Sequence, residues 1–456
     1  MIAIDHGLRA VDLEAGLGRL FELSGEKLKA LRGRSRPADG APVFTVKGKY
    51  SSRGWTEWTQ GFLFGWGLFQ FDATGDAECL DWARRNIVDH MASHLTHFGV
   101  HDHGFNNVST YGNLARLMNE GKIPTNPWER NFHALALKCS GAVQARRWTR
   151  TADGGGFIYS FNGPHSLFAD TIRSLRSLAV AHRLGHFAYD EQDAKISLLG
   201  RLVQHARTTA THAVFHGEGR DAYDHRGRVA HESVFNTNNG QFRCPNSQQG
   251  YSPFSTWTRG LAWIMLGYAE QLEFLQTVAD AELEPFGGRR EVEGFMLKAA
   301  RATCDFYVNQ TPVDGVPYWD TGAPELHRLG DYLNRPADPF NPHEPVDSSA
   351  AAIAAQGFLR LGTYLAAQGE KAAGRKYFQA GLTIADTLFD EPYLSTDPRH
   401  QGLLLHSVYH RPNGWDYISP GRKVPCGEAS MWGDYHALEL ALLIQRLAQG
   451  KYYTFF

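Results

Sequence analysis

A few short segments of this chain hold most of the side chains that could do chemistry. His101-Asp102-His103-Gly104-Phe105 places a carboxylate between two imidazoles. Two histidines one residue apart have metal-ligand spacing, Asp-x-Gly is also turn chemistry, and Asp102 could act as an acid or base. Asp170 lies in Ser166-Leu167-Phe168-Ala169-Asp170-Thr171-Ile172, off the apolar stripe Phe168, Ile172, Leu175, Ala179. The pattern predicts a helix capped by Ser166 with Asp170 about one turn in. There it either offsets the helix dipole or serves as a second carboxyl. Two carboxyls brought close raise one pKa enough to keep a proton near neutrality, and cleaving a glycosidic bond needs such a donor.

A third segment runs from Gln249 through Gly250-Tyr251-Ser252 to Trp257, Arg259 and Trp263. With a helix starting near Ser255 or Thr256, Arg259 and Trp263 share a face at i, i+4. An arginine among rings is either a stacked structural residue or a two-pronged holder of a carboxylate. Further segments are Trp55 to Phe62, Asp314 to Asp320, Asp347-Ser348-Ser349, and Gly427-Glu428 to Tyr435. Asp347 reads as an N-cap, and Trp319 and Trp432 read as core. No G-x-G-x-x-G, Walker loop, G-x-S-x-G or basic-aromatic stripe is present, so nucleotide and esterase readings lack a foothold.

The elements that must position these groups are helices. Apolar periodicity predicts them over 9–31, 59–73, 77–99, 109–119, 127–148 and 166–185. It continues over 190–213, 255–278, 291–309, 347–367, 370–389 and 428–449, with very few strands. Ala354, Phe358, Leu361 and Leu365 show the period. Thr74-Gly75-Asp76 and Gln368-Gly369-Glu370 are glycine turns followed by an acid that suits a helix start. Twelve helices in six hairpins, with no linker between them, predict an all-α (α/α)6 toroid over 1–456 as one domain. No short repeat supports an open solenoid. The long intervening loops 100–108, 149–165, 214–254, 310–346 and 390–427 should carry the site.

The 456 residues include 46 Lys+Arg against 48 Asp+Glu, a net charge of −2. Near neutrality argues against nucleic acid or an acidic membrane as partner. Eleven Trp, 18 Tyr, 27 Phe and 21 His favour an aromatic-lined, wet ligand site. Five separated cysteines without a C-x-x-C pair suit a reducing compartment. The start shows no secretory pattern, and Phe62–Phe71 is too short and too broken to span a bilayer. The expectation is a cytoplasmic protein, with a homodimer left open.

In order along 55–449, these segments resemble glycoside hydrolase family 88, the unsaturated glucuronyl hydrolases. The resemblance rests on Glu57-Trp58-Thr59-Gln60-Gly61-Phe62, His101-Asp102-x-Gly104-Phe105, Asp170, and His231 with Gln249-Gly250-Tyr251-Ser252. It continues through Trp257-x-Arg259-Gly260-x-Ala262-Trp263, Asp314 to Asp320, Asp347 to Ala352, Gly402 to His406 with Tyr409-His410, and Glu428 to Tyr435. It implies the (α/α)6 toroid and a hydrolase acting on oligosaccharides left by polysaccharide lyases. These carry a Δ4,5-unsaturated uronic acid at the non-reducing end. Protonating the enol ether at C4 and adding water at C5 releases that residue, with no metal and no organic cofactor. Carried over, Asp170 resembles the general acid/base, Asp102 its partner carboxylate, and Gln249 a group beside the reacting carbons. His101, His231, Trp58, Trp257, Arg259, Trp263 and, more loosely, Phe161 match positions lining the sugar subsite. Tyr409 is a further substrate-binding candidate.

Departures accompany the resemblance. Pro253-Phe254 replace an acidic pair, Leu261 a Gln, His103 an apolar residue and Ser174 an Asn, while loops 214–230 and 327–345 are longer. They imply the same reaction on an atypical oligosaccharide. The rival readings are an unsaturated rhamnogalacturonyl hydrolase, an inverting glycosidase or a sugar epimerase on the same barrel, and a carbohydrate-binding scaffold.

Overall fold

A computed structural model of the chain describes residues 1–32, 40–53 and 57–456; Trp55 lies outside the described residues. The long helices, in chain order, are α1 (Glu14–Arg32), α2 (Gln60–Thr74), α3 (Ala77–His90) and α4 (103–119). Then come α5 (Pro127–Arg146), α6 (171–183), α7 (Leu198–His212) and α8 (Thr258–Leu275). The last four are α9 (Gly288–Gln310), α10 (Ser348–Ala367), α11 (Lys371–Leu388) and α12 (Met431–Ala448). Even-numbered helices touch in sequence, α2 to α4 and onward to α12, and α12 returns to α2. The odd-numbered helices pack outside them, so the fold is an (α/α)6 toroid.

Sequence decides which helices are inner. Every residue of α10 from Ser348 to Gly362 is buried. A helix that is apolar all round can only be an interior one. Its first turn is closed by Asp347, whose carboxylate accepts from the N–H groups of Ser349 (3.1 Å) and Ala350 (3.4 Å). Outer α3 instead buries one stripe, Cys79, Leu80, Ala83 and Ile87, and is capped by Asp76. The preceding Gly75 takes φ +80°, as the Thr74-Gly75-Asp76 turn requires.

The middle of the toroid is filled by charge. Arg173 donates to Glu270 (3.0 and 3.1 Å) and Glu439 (2.7 Å), all fully buried. Charges this deep persist only when paired. The C-terminal residues close one mouth: Tyr453 is buried, donates its hydroxyl to Glu439 and accepts from Arg360 on its carbonyl.

Four elements differ from the sequence reading, one being the helix expected over 77–99, which ends at His90 and is followed only by a single helical turn at Ala92–Leu95. Ser166–Phe168 is a strand, not a helix start; it pairs antiparallel with Glu232–Phe235, which pairs with Phe242–Asn246. Ser166 therefore caps nothing. Helix α6 begins only at Thr171 and is interrupted at Leu175. Helix α4 begins at His103, inside the expected loop 100–108, and passes through a π-helical turn at Val108–Gly112. Segment 190–197 is a short 3₁₀ turn and a strand instead of the start of α7.

Candidate active site

The N-terminal ends of α2, α4, α6 and α8, with the loops that lead into them and the loop bearing Tyr409, surround a cavity of about 330 Å³. A wider groove of about 1030 Å³ lies between α1, α2 and the start of α3. Its charged residues, such as Glu22, Glu26 and Lys29, are not gathered around a buried carboxyl pair, so the smaller cavity is the candidate site.

Its floor is built by a close approach of backbones. A Cβ on Gly104 would stand 2.2 Å from the Ser174 carbonyl oxygen, so α4 can reach α6 only with glycine there. Ser174 then ties the turn down. Its hydroxyl donates to the His101 carbonyl (2.5 Å) and accepts from the Gly104 N–H (2.9 Å) and from Gln144 (2.8 Å). This Ser-for-Asn departure is thus a working clamp. Asp102 and Asp170 stand at the N-caps of their helices, yet neither side chain makes a capping bond. Both carboxylates line the cavity instead.

They meet on one imidazole. His101 Nε2 donates to Asp170 Oδ1 at 3.2 Å and lies 3.8 Å from Asp102 Oδ1. Burial raises the Asp102 carboxyl above its ordinary range, and the charge of Asp170 adds to this while His101 opposes it. Burial would also raise Asp170, but the hydrogen bond and charge of His101 outweigh it and hold that carboxyl low. His101 is raised, because the two carboxylates overcome its burial. The resemblance makes Asp170 the acid that must hold a proton; in the ligand-free site the raised carboxyl is Asp102.

The remaining side chains form walls and supports. Phe161 stacks over His101 (centroids 6.0 Å, 22°) and lines the cavity. Trp58, Trp257, Trp263 and Tyr409 line it too, and Trp58 Nε1 donates to the Tyr409 hydroxyl (3.3 Å). Arg259 lies between the rings of Trp257 (4.6 Å) and Trp432 (4.9 Å). It donates to Asp347 (3.0 Å), Gln249 Oε1 (2.9 Å) and the carbonyls of Val408 and Tyr409. Both terminal nitrogens are thus engaged by protein, and Arg259 holds Gln249 at the cavity. His231 does not line the cavity. It is buried behind it, against Phe168 and Trp257, where Nδ1 accepts from the N–H groups of Gln248 (3.0 Å) and Gln249 (3.2 Å).

His103 turns away from His101. Its Nε2 donates to the His97 carbonyl and its Nδ1 accepts from Ser140, both at 3.1 Å. The two histidines therefore do not converge on one point. Among the described residues no group of three His, Cys, Asp or Glu side chains is arranged to hold a metal ion.

Sequence reasoning missed Arg147, which nothing in its helical neighbourhood singled out. It donates to the carbonyls of Phe98, Tyr159 (2.9 Å) and Ser160 (2.5 Å), lashing the loop before His101 to the loop bearing Phe161. Two departures also prove to be joined: Phe254 stacks on Tyr223 of the longer loop (4.3 Å), and Arg228 donates to the Pro253 carbonyl.

Among the described residues twelve long helices close into a ring with a carboxyl pair in an aromatic-walled cavity at one mouth; with the relatives that follow, this makes the chain a glycoside hydrolase of the (α/α)6 class. No family model matches the chain. It is 25% identical to the unsaturated glucuronyl hydrolase of Bacillus sp. (strain GL1), over 89% of this chain and 90% of that protein. It is 24% identical to the unsaturated chondroitin disaccharide hydrolase of Streptococcus pyogenes serotype M1, over 87% and 84%. The crystal structures of unsaturated glucuronyl hydrolases from Bacillus sp. GL1 and Streptococcus agalactiae both superpose with TM-score 0.70, at 22% and 21% identity. The first covers 95% of this chain and 97% of its own, the second 94% and 91%. The chain is a homologue of the unsaturated glucuronyl hydrolases.

Proposed function

We propose that this enzyme removes a Δ4,5-unsaturated uronic acid from the non-reducing end of lyase-generated oligosaccharides. Asp170 gives its proton to C4 of the enol ether, and positive charge develops at C5 and the ring oxygen beside Asp102 and Asp170. Water adds at C5 and returns a proton to Asp170. The resulting hemiketal opens and expels the next sugar. Gln249, fixed by Arg259, orients the ring, while Trp58, Trp263 and Phe161 supply flat walls suited to a ring flattened around C4 and C5. No step requires a Lewis acid or an organic cofactor.

The observation that carries this reading is the meeting of Asp170 and Asp102 on one buried imidazole, inside a cavity walled by aromatic rings. The relatives' names support the unsaturated uronyl group; the altered Pro253-Phe254 segment and its partner loop support a leaving sugar unlike theirs. We place the activity in the cytoplasm and in a single domain over 1–456. Five cysteines without a disulfide among the described residues support a reducing compartment. Among the described residues no helix is long and apolar enough to cross a membrane. An exposed apolar stripe on α5, Trp128, Phe132 and Leu135, supports a homodimer.

The test is a matched pair of uronyl disaccharides, unsaturated and saturated, in deuterated water. The expected result is cleavage of the unsaturated sugar alone, with deuterium at C4 of the released keto acid. Comparable cleavage of the saturated sugar, or no deuterium at C4, would transfer the chain to the inverting-glycosidase reading.

A further inference from the structure

Resting on that reaction, we propose that His101 is the site's proton store: a positioning residue that works through Asp170, charging it before C4 is protonated and taking the proton back after water adds. The geometry carries this. His101 is almost fully buried, and its Nε2 is the atom both carboxylates approach, at 3.2 and 3.8 Å. The rings of Phe161 (stacked, 6.0 Å) and Phe168 (edge-on, 5.5 Å) cover it, so bulk water is a poor source of that proton. Its Nδ1 has no hydrogen-bond partner among the described residues. A histidine is usually anchored through its second nitrogen, which fixes the tautomer. Here the only hydrogen bond on the ring among the described residues is the one from Nε2 to Asp170.

The charged surroundings agree. The groups that face His101 are Asp102, Asp170, Arg147 from the end of α5, His205 from α7, and His231. Burial pushes His205 and His231 down to about 3, so both stay neutral. Arg147 works against a second cation, but the two carboxylates outweigh it and His101 is raised. Of these three imidazoles His101 alone is raised, and it alone stands beside both carboxylates. A uronate carboxylate arriving in the cavity adds negative charge beside Asp170 and raises that group's proton affinity. The proton then moves from Nε2 to Oδ1, and from Asp170 to C4 as the C4=C5 electron pair forms the new C–H bond. Water attacking C5 loses a proton to Asp170, which passes it to the neutral imidazole. One water is consumed and the store is full again.

Two measurements on the whole enzyme test this. Nitrogen-15 NMR of the ligand-free wild type gives the titration of His101, and the pH dependence of kcat/KM on an unsaturated uronyl disaccharide gives the basic limb of the free enzyme. The two midpoints should coincide, and that limb should move with temperature as an imidazolium does. His101→Gln keeps an N–H near Asp170 but holds no proton. It should lose about 100-fold or more in kcat, and its remaining basic limb should lose the temperature dependence. A neutral His101 at the pH of maximal activity, or a limb unchanged in His101→Gln, overturns the proposal. Should that variant not fold, the wild-type coincidence decides alone. Failure of the wild type to cleave any unsaturated disaccharide counts against the parent reaction, whereas the NMR titration reads the store without substrate.

Discussion

Gly104 and Ser174 are in backbone contact: the Gly104 N–H donates to the Ser174 hydroxyl at 2.9 Å, and no Cβ fits between the glycine and the Ser174 carbonyl. This contact brings the start of α4 against α6. Asp102 and Asp170, 68 positions apart in the chain, then stand at one imidazole. Gly104→Ala should therefore cost more than packing. A methyl 2.2 Å from a carbonyl oxygen forces the helices apart, with a stability loss of about 1–3 kcal/mol. Activity should fall further than the melting temperature suggests, because the carboxyls separate. Thermal denaturation and kcat/KM on the same sample check this, and an active, fully stable variant would refute the clamp.

Asp170→Asn should leave the fold intact and lower kcat by about 10²- to 10⁴-fold, since an amide of the same shape has no proton to give. Circular dichroism paired with steady-state rates measures both halves. Unchanged kcat would sink the mechanism.

Asp102→Asn should slow turnover and move the basic limb to lower pH. The charge of Asp102 is the first influence raising His101, and removing it lowers the pH at which the cluster loses its proton. The groups titrate together, so the shift belongs to the cluster. A full pH–rate profile of the variant is the measurement, and a stationary limb would mean that the carboxyls do not communicate.

Arg259→Lys should lower both stability and kcat/KM. The ammonium cannot reach Asp347, Gln249 and two carbonyls at once. Breaking a buried pair of this kind typically costs about 3–5 kcal/mol. If Arg259 only stabilised the fold, kcat/KM of the folded fraction would be unchanged.

The folded state should weaken on acidification below about pH 6.5. Burial lowers His205 and His231 to about 3, and His103 and His406 to about 4, against 6.5 for an ordinary histidine. Between these limits the unfolded chain binds more protons than the native one, so stability rises with pH across that window. Asp314, Asp320 and Asp434, raised to about 6, act in the opposite direction above their ordinary 3.8, but they are fewer and shifted less. Melting temperature measured from pH 7 to pH 4 should fall steadily; a flat profile would contradict the burial of these imidazoles.

Chelation should leave turnover unchanged. His103 is spent on Ser140 and the His97 carbonyl, so His101 gains no second imidazole for a metal. Loss of activity on removal of a stoichiometric metal, restored by adding it back, would reverse this.

The sequence by itself determined the helices and most of the groups that line the site. The one-sided buried stripe of α3, the burial of α10 all round and capping at Asp76 and Asp347 are local, and they appear where the residues place them. Trp58, Phe161, Trp257, Trp263, Gln249 and Tyr409 were legible as segments rich in rings and amides, and all line the cavity. What only the tertiary structure decided are relations between residues far apart. The strand at Ser166–Phe168 forms because its pairing partners lie about 65 positions onward, and that pairing overrides a helical apolar pattern. His231 was expected in the wall and lies behind it, because its Nδ1 is claimed by the backbone at Gln248 and Gln249. Arg259 lines the cavity, and which groups hold its terminal nitrogens there (Asp347, Gln249 and the carbonyls at 408 and 409) no local spacing foretells. The balance between Asp102 and Asp170 belongs to this second kind. Which carboxyl is held low depends on a single imidazole nitrogen 3.2 Å from one and 3.8 Å from the other, and no spacing along the chain encodes that difference.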